Sequence, residues 1–238
     1  MASRNFIVLD TEGVSYGKVD KSNLGNSALF YDFGFIVANR EGEVLDKFSF
    51  VNTDVFNNYG LMASAYYAEK LPQYHAGIGE MWIPASTREI WDVFCKAVTG
   101  YKVRDIWAYN VRYDSASVNN TIKHFSNGFR RYFAPYGCKY RDIWDYAGST
   151  LCNTRKYVEW CKEHGYISKA GNPSTSADTV GKYLRDSNEY VEQHTALNDA
   201  EDELRILQAA FKRKQKARQS AGMGWIDASR IAKSLAIA

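Results

Sequence analysis

Apolar and polar positions along the chain fall into blocks that predict most of its elements. Phe6-Ile7-Val8-Leu9 is a run of strand formers too short for a helix, and it ends abruptly at Asp10-Thr11-Glu12-Gly13. It predicts a buried central strand whose carboxyl end emerges at a polar site. Val14 to Ser27, rich in Gly, Ser, Lys and Asn, predicts a loop over that end. Leu29 to Val37 has strand composition, Asn39-Arg40-Glu41-Gly42 is a turn, and Val44 to Val51 alternates as a return strand. The chain therefore opens as an antiparallel meander.

Beyond Asn52 the helical period takes over. Leu61 to Leu71 predicts a helix stopped before Pro72, with a loop around Gly77 and Gly79. Ser86 and Glu89 form a capping box for a helix with apolar positions Ile90, Trp91, Phe94, Cys95 and Val98, ending at Gly100. Asp105 to Tyr109 reads as a short strand, followed by a helix for which Asn110 is the natural amino-terminal cap. Another short strand, Cys138 to Asp142, precedes helices over Asn153 to His164 and Thr179 to Arg185. The last strong helix begins near Thr195, its stripe being Ala196, Leu197, Ala200, Leu204, Leu207 and Phe211. A meander followed by strand–helix units predicts a mixed sheet with helices on both faces, an α/β architecture, with no internal repeat.

With 238 residues, 45% of them hydrophobic, the chain can fill the core of one sizeable domain. A net charge of only +3 permits contact with nucleic acid without arguing for it. An aromatic share of 15%, with 17 tyrosines, leaves rings for stacking as well as packing. Cys95, Cys138, Cys152 and Cys161 are irregularly spaced, which suits free thiols in a reducing compartment. Cys152, Cys161 and His164 are zinc-ligand types, but no fourth ligand accompanies them. Met1 to Asn5 carries no apolar signal region and no stretch approaches the ~20 apolar residues of a membrane span, so a cytoplasmic protein is expected.

Three stretches carry chemistry. Asp10 and Glu12, two apart on a strand, point to one face, where their repulsion needs protons or cations; a divalent metal answers this, and so does a plain polar loop. Asn110 to Asp114 puts a carboxylate one turn beyond a cap. His194 to Asp199 puts an imidazole and an acid around a helix start, where Asp199 also suits the helix dipole and His194 a surface or capping role.

In order and spacing, Asp10-x-Glu12, Asn110-x3-Asp114 and His194-x4-Asp199 resemble the three motifs of the DEDDh 3′–5′ exonucleases of the ribonuclease H-like superfamily, such as proofreading subunits, ribonuclease T and oligoribonuclease. The resemblance spans Phe6 to Phe211; Gly34 stands where the family often carries a glycine, and Asp142 matches a strand-end acid of relatives. It implies a ribonuclease H-like mixed sheet of about five strands flanked by helices on both faces. This exonuclease domain would occupy residues 1–216, with 217–238 as a tail. It also implies removal of nucleoside 5′-monophosphates from single-stranded 3′ ends, probably of DNA, with RNA or short oligonucleotides as the rival substrate. Two Mg²⁺ or Mn²⁺ ions would be bound by Asp10, Glu12, Asp114 and Asp199, Asp10 bridging them, with His194 as the general base. Thr11, Gly13 and Val14 would meet the terminal sugar, Tyr16 or Tyr113 would stack on bases, and Asn110 is a cap first and a substrate contact second. A binding module without catalysis should have lost an acid, and all four are present. Thr195, Asn198 and the stretch from Asn52 to Pro84 depart from the family pattern, which bears on substrate choice.

Lys212, Arg213, Lys214, Lys216 and Arg218 crowd the end of the last helix, as a solvated terminus or a phosphate contact. Beyond Gly224, Trp225, Ile226, Ile231, Leu235 and Ile237 predict a short amphipathic helix. It would pack on its own domain or dock on a protein partner or a second subunit.

Overall fold

A computed structural model of the chain describes residues 4–15 and 28–213. One sheet contains β1 (Phe6–Ser15), β2 (Ala28–Ala38), β3 (Val44–Asn52), β4 (Ile83–Ala85), β5 (Asp105–Ala108) and β6 (Lys139–Asp142), in the order β4-β3-β2-β1-β5-β6. β1, β2 and β3 form the expected antiparallel meander, while β5 adds parallel to β1 and β4 parallel to β3. The mixed sheet has one strand more than expected. That strand, β4, is three residues long and contains Pro84, so it has no alternation to read and suits only a sheet edge.

The helices are α1 (Thr53–Phe56), α2 (Tyr59–Met62), α3 (Leu71–Gly77), α4 (Thr87–Gly100), α5 (Arg112–Phe125), α6 (Ile143–Ala147), α7 (Arg155–Glu163), α8 (Ala177–Arg185) and α9 (Ala196–Lys212). The Ser86–Glu89 capping box forms at the start of α4 as read. Two readings are corrected. No helix runs from Leu61 to Leu71; a short α2, a 3₁₀ turn at Ala68–Lys70 and α3 take its place, and Pro72 opens α3 instead of stopping a helix. A proline in the first turn loses nothing, because the N–H it lacks would have had no helical partner. Asn110 is not the cap of α5: the cap position falls to Val111, with no side-chain hydrogen bond, and Asn110 sits at φ 56° in the turn before it. Asparagine tolerates that left-handed conformation better than most residues.

The described residues group into two compact units. One runs up to Arg141 and takes in Gln193–Glu201; the other comprises Asp142–Glu192 and the chain from Asp202 onward. The expected domain end at 216 and the tail over 217–238 lie outside the described residues, as do Lys214, Lys216 and Arg218. Among the described residues no helix is long and apolar enough to cross a membrane.

Within the first unit, alternation along β1 separates two faces. Ile7 and Leu9 join Phe33, Phe35, Phe94, Ile106 and Val118 in a core under α4 and α5. Val14, Leu29, Tyr31, Val51, Tyr74 and Trp82 form a second core with residues of α1, α2 and α3. The register of β1 against β2 shifts between Glu12 and Gly13, pairing Glu12 with Asp32 and Gly13 with Phe30, so Tyr31 is the extra residue of a bulge. The opening of α9 lies directly on β2: a Cβ added to Gly34 would fall 2.2 Å from the Leu197 amide nitrogen. Asp32, fully buried, accepts from the Ala196 N–H at 2.9 Å and from the Tyr74 hydroxyl at 2.6 Å. The helix start is thus seated on β2 by close approach and by a charge-assisted hydrogen bond to its N–H end.

Two predictions follow from this seat. Gly34→Ala should destabilise the protein by about 1–3 kcal/mol, the usual cost of overpacking, in urea unfolding; unchanged stability would mean the helix start does not rest on β2. Burial pushes the Asp32 carboxyl from 3.8 to about 6, while hydrogen bonds from Tyr74 and the Ala196 amide pull it back. A carboxyl with a raised folded-state pKa favours the folded state most at low pH, and that contribution falls as pH rises through the folded value. The stability of the wild type relative to Asp32→Asn should therefore drop by about 3 kcal/mol between about pH 4 and pH 7. A difference that rises with pH would show that Asp32 is held as a stabilised anion.

Candidate metal centre and its surroundings

β5 pairs with β1 only along Phe6–Val8, whereas β2 pairs with it to Ser15. Asp10 and Glu12 lie just beyond the end of the β5 ladder and on the strand, as expected; the meander with β2 carries β1 past them to Ser15, so Val14 and Ser15 are strand and not the start of the loop. The period-two spacing of Asp10 and Glu12 aims both at the face on which α9 starts. There Asp199, in the first turn of α9, joins them: ligand oxygens of Asp10, Glu12 and Asp199 all lie within 4.8 Å of one another. Glu12 and Asp199 are buried and Asp10 half-buried. Two like charges at that separation repel by roughly 3–4 kcal/mol at an effective dielectric near 20, so three ionised carboxylates here require positive charge. All the donors are hard oxygens, which fits Mg²⁺ or Mn²⁺ better than a thiophilic metal. Among the described residues this is the one cluster of such side chains with metal-binding geometry.

Asp114 stands one step behind. Its Oδ1 accepts from the Thr11 amide at 3.0 Å and from the Thr11 hydroxyl at 2.9 Å, and the side chain is buried. It therefore ties α5 to the residue between Asp10 and Glu12. Thr11 points to the α5 face with its hydroxyl committed to Asp114, and its side chain does not join Asp10 and Glu12. The Val14 side chain is a core residue, 1% exposed. Tyr113 does lie at the acids: burial, then Asp114, Glu12 and Asp10, push its phenol well above the usual range, so it stays a protonated donor. Its hydroxyl would lie 2.6 Å from a Cβ on Gly13, which explains the glycine as a site of close approach. Asn110 is exposed at its turn, and Tyr16 lies outside the described residues.

His194 has φ 51° and its imidazole stacks on Tyr67, ring centroids 4.4 Å apart and planes 12° from parallel. The next residue, Thr195, provides the carbonyl for the Asp199 N–H at 3.0 Å, so the imidazole and the acid flank the first hydrogen bond of the helix. Sequence reasoning missed Asp32, for which a lone carboxylate within the otherwise apolar Leu29–Val37 run is the available signal. Tyr67 and Tyr74 belong to the long aromatic stretch before Pro84, whose rings suit a binding cleft or, for most of them, packing.

Among the described residues of the second unit, Cys152, Cys161 and His164 do not come together as a ligand cluster. Burial pushes the Cys152 thiol up to about 12 and the Cys161 thiol up to about 11, and His164 directs Nδ1 to the Trp160 carbonyl at 2.8 Å. Asp142 is the cap of α6, accepting from the Trp144 N–H at 2.8 Å.

No family model matches the chain, and no curated protein matches it in sequence. Solved structures do. Escherichia coli exonuclease I in complex with a dT13 oligonucleotide superposes with a TM-score of 0.58 at 16% identity, covering 89% of this chain and 42% of that one. Exonuclease I from Methylocaldum szegediense gives 0.55 at 16% identity, over 90% and 41% of the two chains. A full-length 3′-exonuclease gives 0.53 at 10% identity, over 92% and 64%. The chain spans about two fifths of the length of the exonuclease I structures. At these identities the likeness is one of backbone architecture: the chain shares the α/β fold of the exonuclease I structures.

Proposed function

We propose that the protein is a metal-dependent 3′–5′ exonuclease that hydrolyses single-stranded DNA from its 3′ end and releases nucleoside 5′-monophosphates. The observation that carries this reading is the convergence of Asp10, Glu12 and Asp199 from opposite ends of the chain within 4.8 Å. Support comes from the fold, shared with exonuclease I, one structure of which holds a dT13 oligonucleotide.

Asp10, Glu12 and Asp199 would hold the divalent ions, with Asp114 as a further carboxylate for them. Such ions, when bound, supply charge stabilisation for the attacking and leaving oxygens of an in-line phosphoryl displacement. The remaining chemistry belongs to the chain. His194 takes the proton from the attacking water at an imidazole nitrogen as the water oxygen bonds to phosphorus; the P–O3′ bond breaks, and the released 3′ oxygen takes a proton from solvent, leaving the strand with a new 3′ hydroxyl. Tyr113 offers its hydroxyl to the substrate beside Gly13 and its ring to a base, which makes recognition tolerant of sequence. Asp114 keeps β1 straight between its two acids through Thr11.

The test is digestion of matched 5′-labelled DNA and RNA oligonucleotides with Mg²⁺, with Mn²⁺ and with chelator. Mononucleotides should appear from DNA 3′ ends with either metal and not with chelator; faster trimming of RNA would reassign the substrate, and endonucleolytic products would refute the reading. Asp199→Asn should abolish release while circular dichroism stays unchanged. His194→Ala should slow it by roughly 10²–10⁴-fold, the usual worth of a positioned base. Parental rates in either variant would remove that residue from its role.

A further inference from the structure

Tyr67 belongs to the stretch between β3 and β4, which departs from the exonuclease pattern, yet its ring faces His194 at 4.4 Å. Tyr66 meets Tyr67 edge to face at 4.9 Å and 88°. The same stretch supplies Tyr74, whose hydroxyl reaches Asp32, the acceptor of the Ala196 N–H. It therefore engages the chain on both sides of Thr195, once through a stacked imidazole and once through the carboxylate that seats α9. His194 itself has a left-handed backbone, a conformation that a non-glycine residue keeps only where its surroundings hold it.

We propose that Tyr67 is a positioning residue that fixes the plane of the His194 imidazole and so sets where its proton-accepting nitrogen stands relative to Asp10, Glu12 and Asp199. The proposal rests on the exonuclease reading. A general base works only within hydrogen-bond reach of its proton, and an imidazole at a chain bend otherwise has several rotamers. A parallel ring against one face removes the rotamers that would swing it through that space. The same face attracts the imidazolium formed when the proton is taken, so the ring is held in both protonation states. Because the ring and not the hydroxyl does this, phenylalanine should substitute and an aliphatic side chain should not.

The experiment compares the full chain with Tyr67→Phe and Tyr67→Leu on a labelled oligo-dT with Mg²⁺, alongside NMR of the His194 ring protons. Tyr67→Leu should lose roughly ten- to a hundredfold in kcat, the effect of a misplaced catalytic group, with KM unchanged within about twofold. Tyr67→Phe should retain the parental kcat within about twofold. Upfield ring-current displacement of the His194 protons should be present in the parent and in Tyr67→Phe and absent in Tyr67→Leu. An active parent with an unaffected Tyr67→Leu overturns the positioning role alone, as does a rise in KM at constant kcat, which would make Tyr67 a substrate contact. A parent without Mg²⁺-dependent hydrolysis overturns the exonuclease reading, and this proposal with it.

Discussion

The start of α9 lies so close to β2 that position 34 has room for no side chain beyond hydrogen, and this approach governs the rest of the site. A helix held at ordinary helix–sheet distance would carry Asp199 away from Asp10 and Glu12. Close approach alone would bury an unsatisfied amide, a cost comparable to a lost hydrogen bond. Asp32 meets that cost by accepting the Ala196 N–H, and its own burial is offset by the Tyr74 hydroxyl. Glycine, carboxylate and phenol thus act as one device, assembled from three distant parts of the chain.

That device adds negative charge to a place already rich in it. Asp32 pairs across the sheet with Glu12, and Glu12 lies with Asp10 and Asp199 in the cluster. The phenols of Tyr31 and Tyr113 are held protonated partly by these same acids, after burial. Such an arrangement opposes folding unless cations enter, and binding of ions to the folded state alone would stabilise it by mass action. A concentration of charge that weakens the empty fold is what a site for divalent ions requires.

The sequence made legible whatever depends on neighbours in the chain. Strand alternation placed β1, β2 and β3, the Ser86–Glu89 pair located the start of α4, and motif spacing found the acids that meet. What it concealed was decided by distant contacts. Thr11 stands between the two acids in sequence, but its hydroxyl is taken by Asp114 on α5. The segment Ile143–Cys152 is buried almost throughout as α6 and a π-helical turn, and with no exposed face it shows no helical period. Asp32 was visible as a charge in an apolar strand, yet only its partners Tyr74 and Ala196 give it meaning.

The stretch between β3 and β4 shows why resemblance in motifs did not extend to the whole site. On the proposed exonuclease reading, the acids would answer to the charge of a phosphodiester and its metal ions, and any enzyme using that chemistry on this fold would need them in the same places. The supports behind them need only supply a hydrogen bond or a flat surface, which many segments can do. Tyr67 and Tyr74 do so from a segment of short helices whose aromatic side chains outnumber its regular turns. A second route to the same geometry is therefore expected to look unfamiliar in sequence, and here the unfamiliar segment is the one that touches His194 and Asp32.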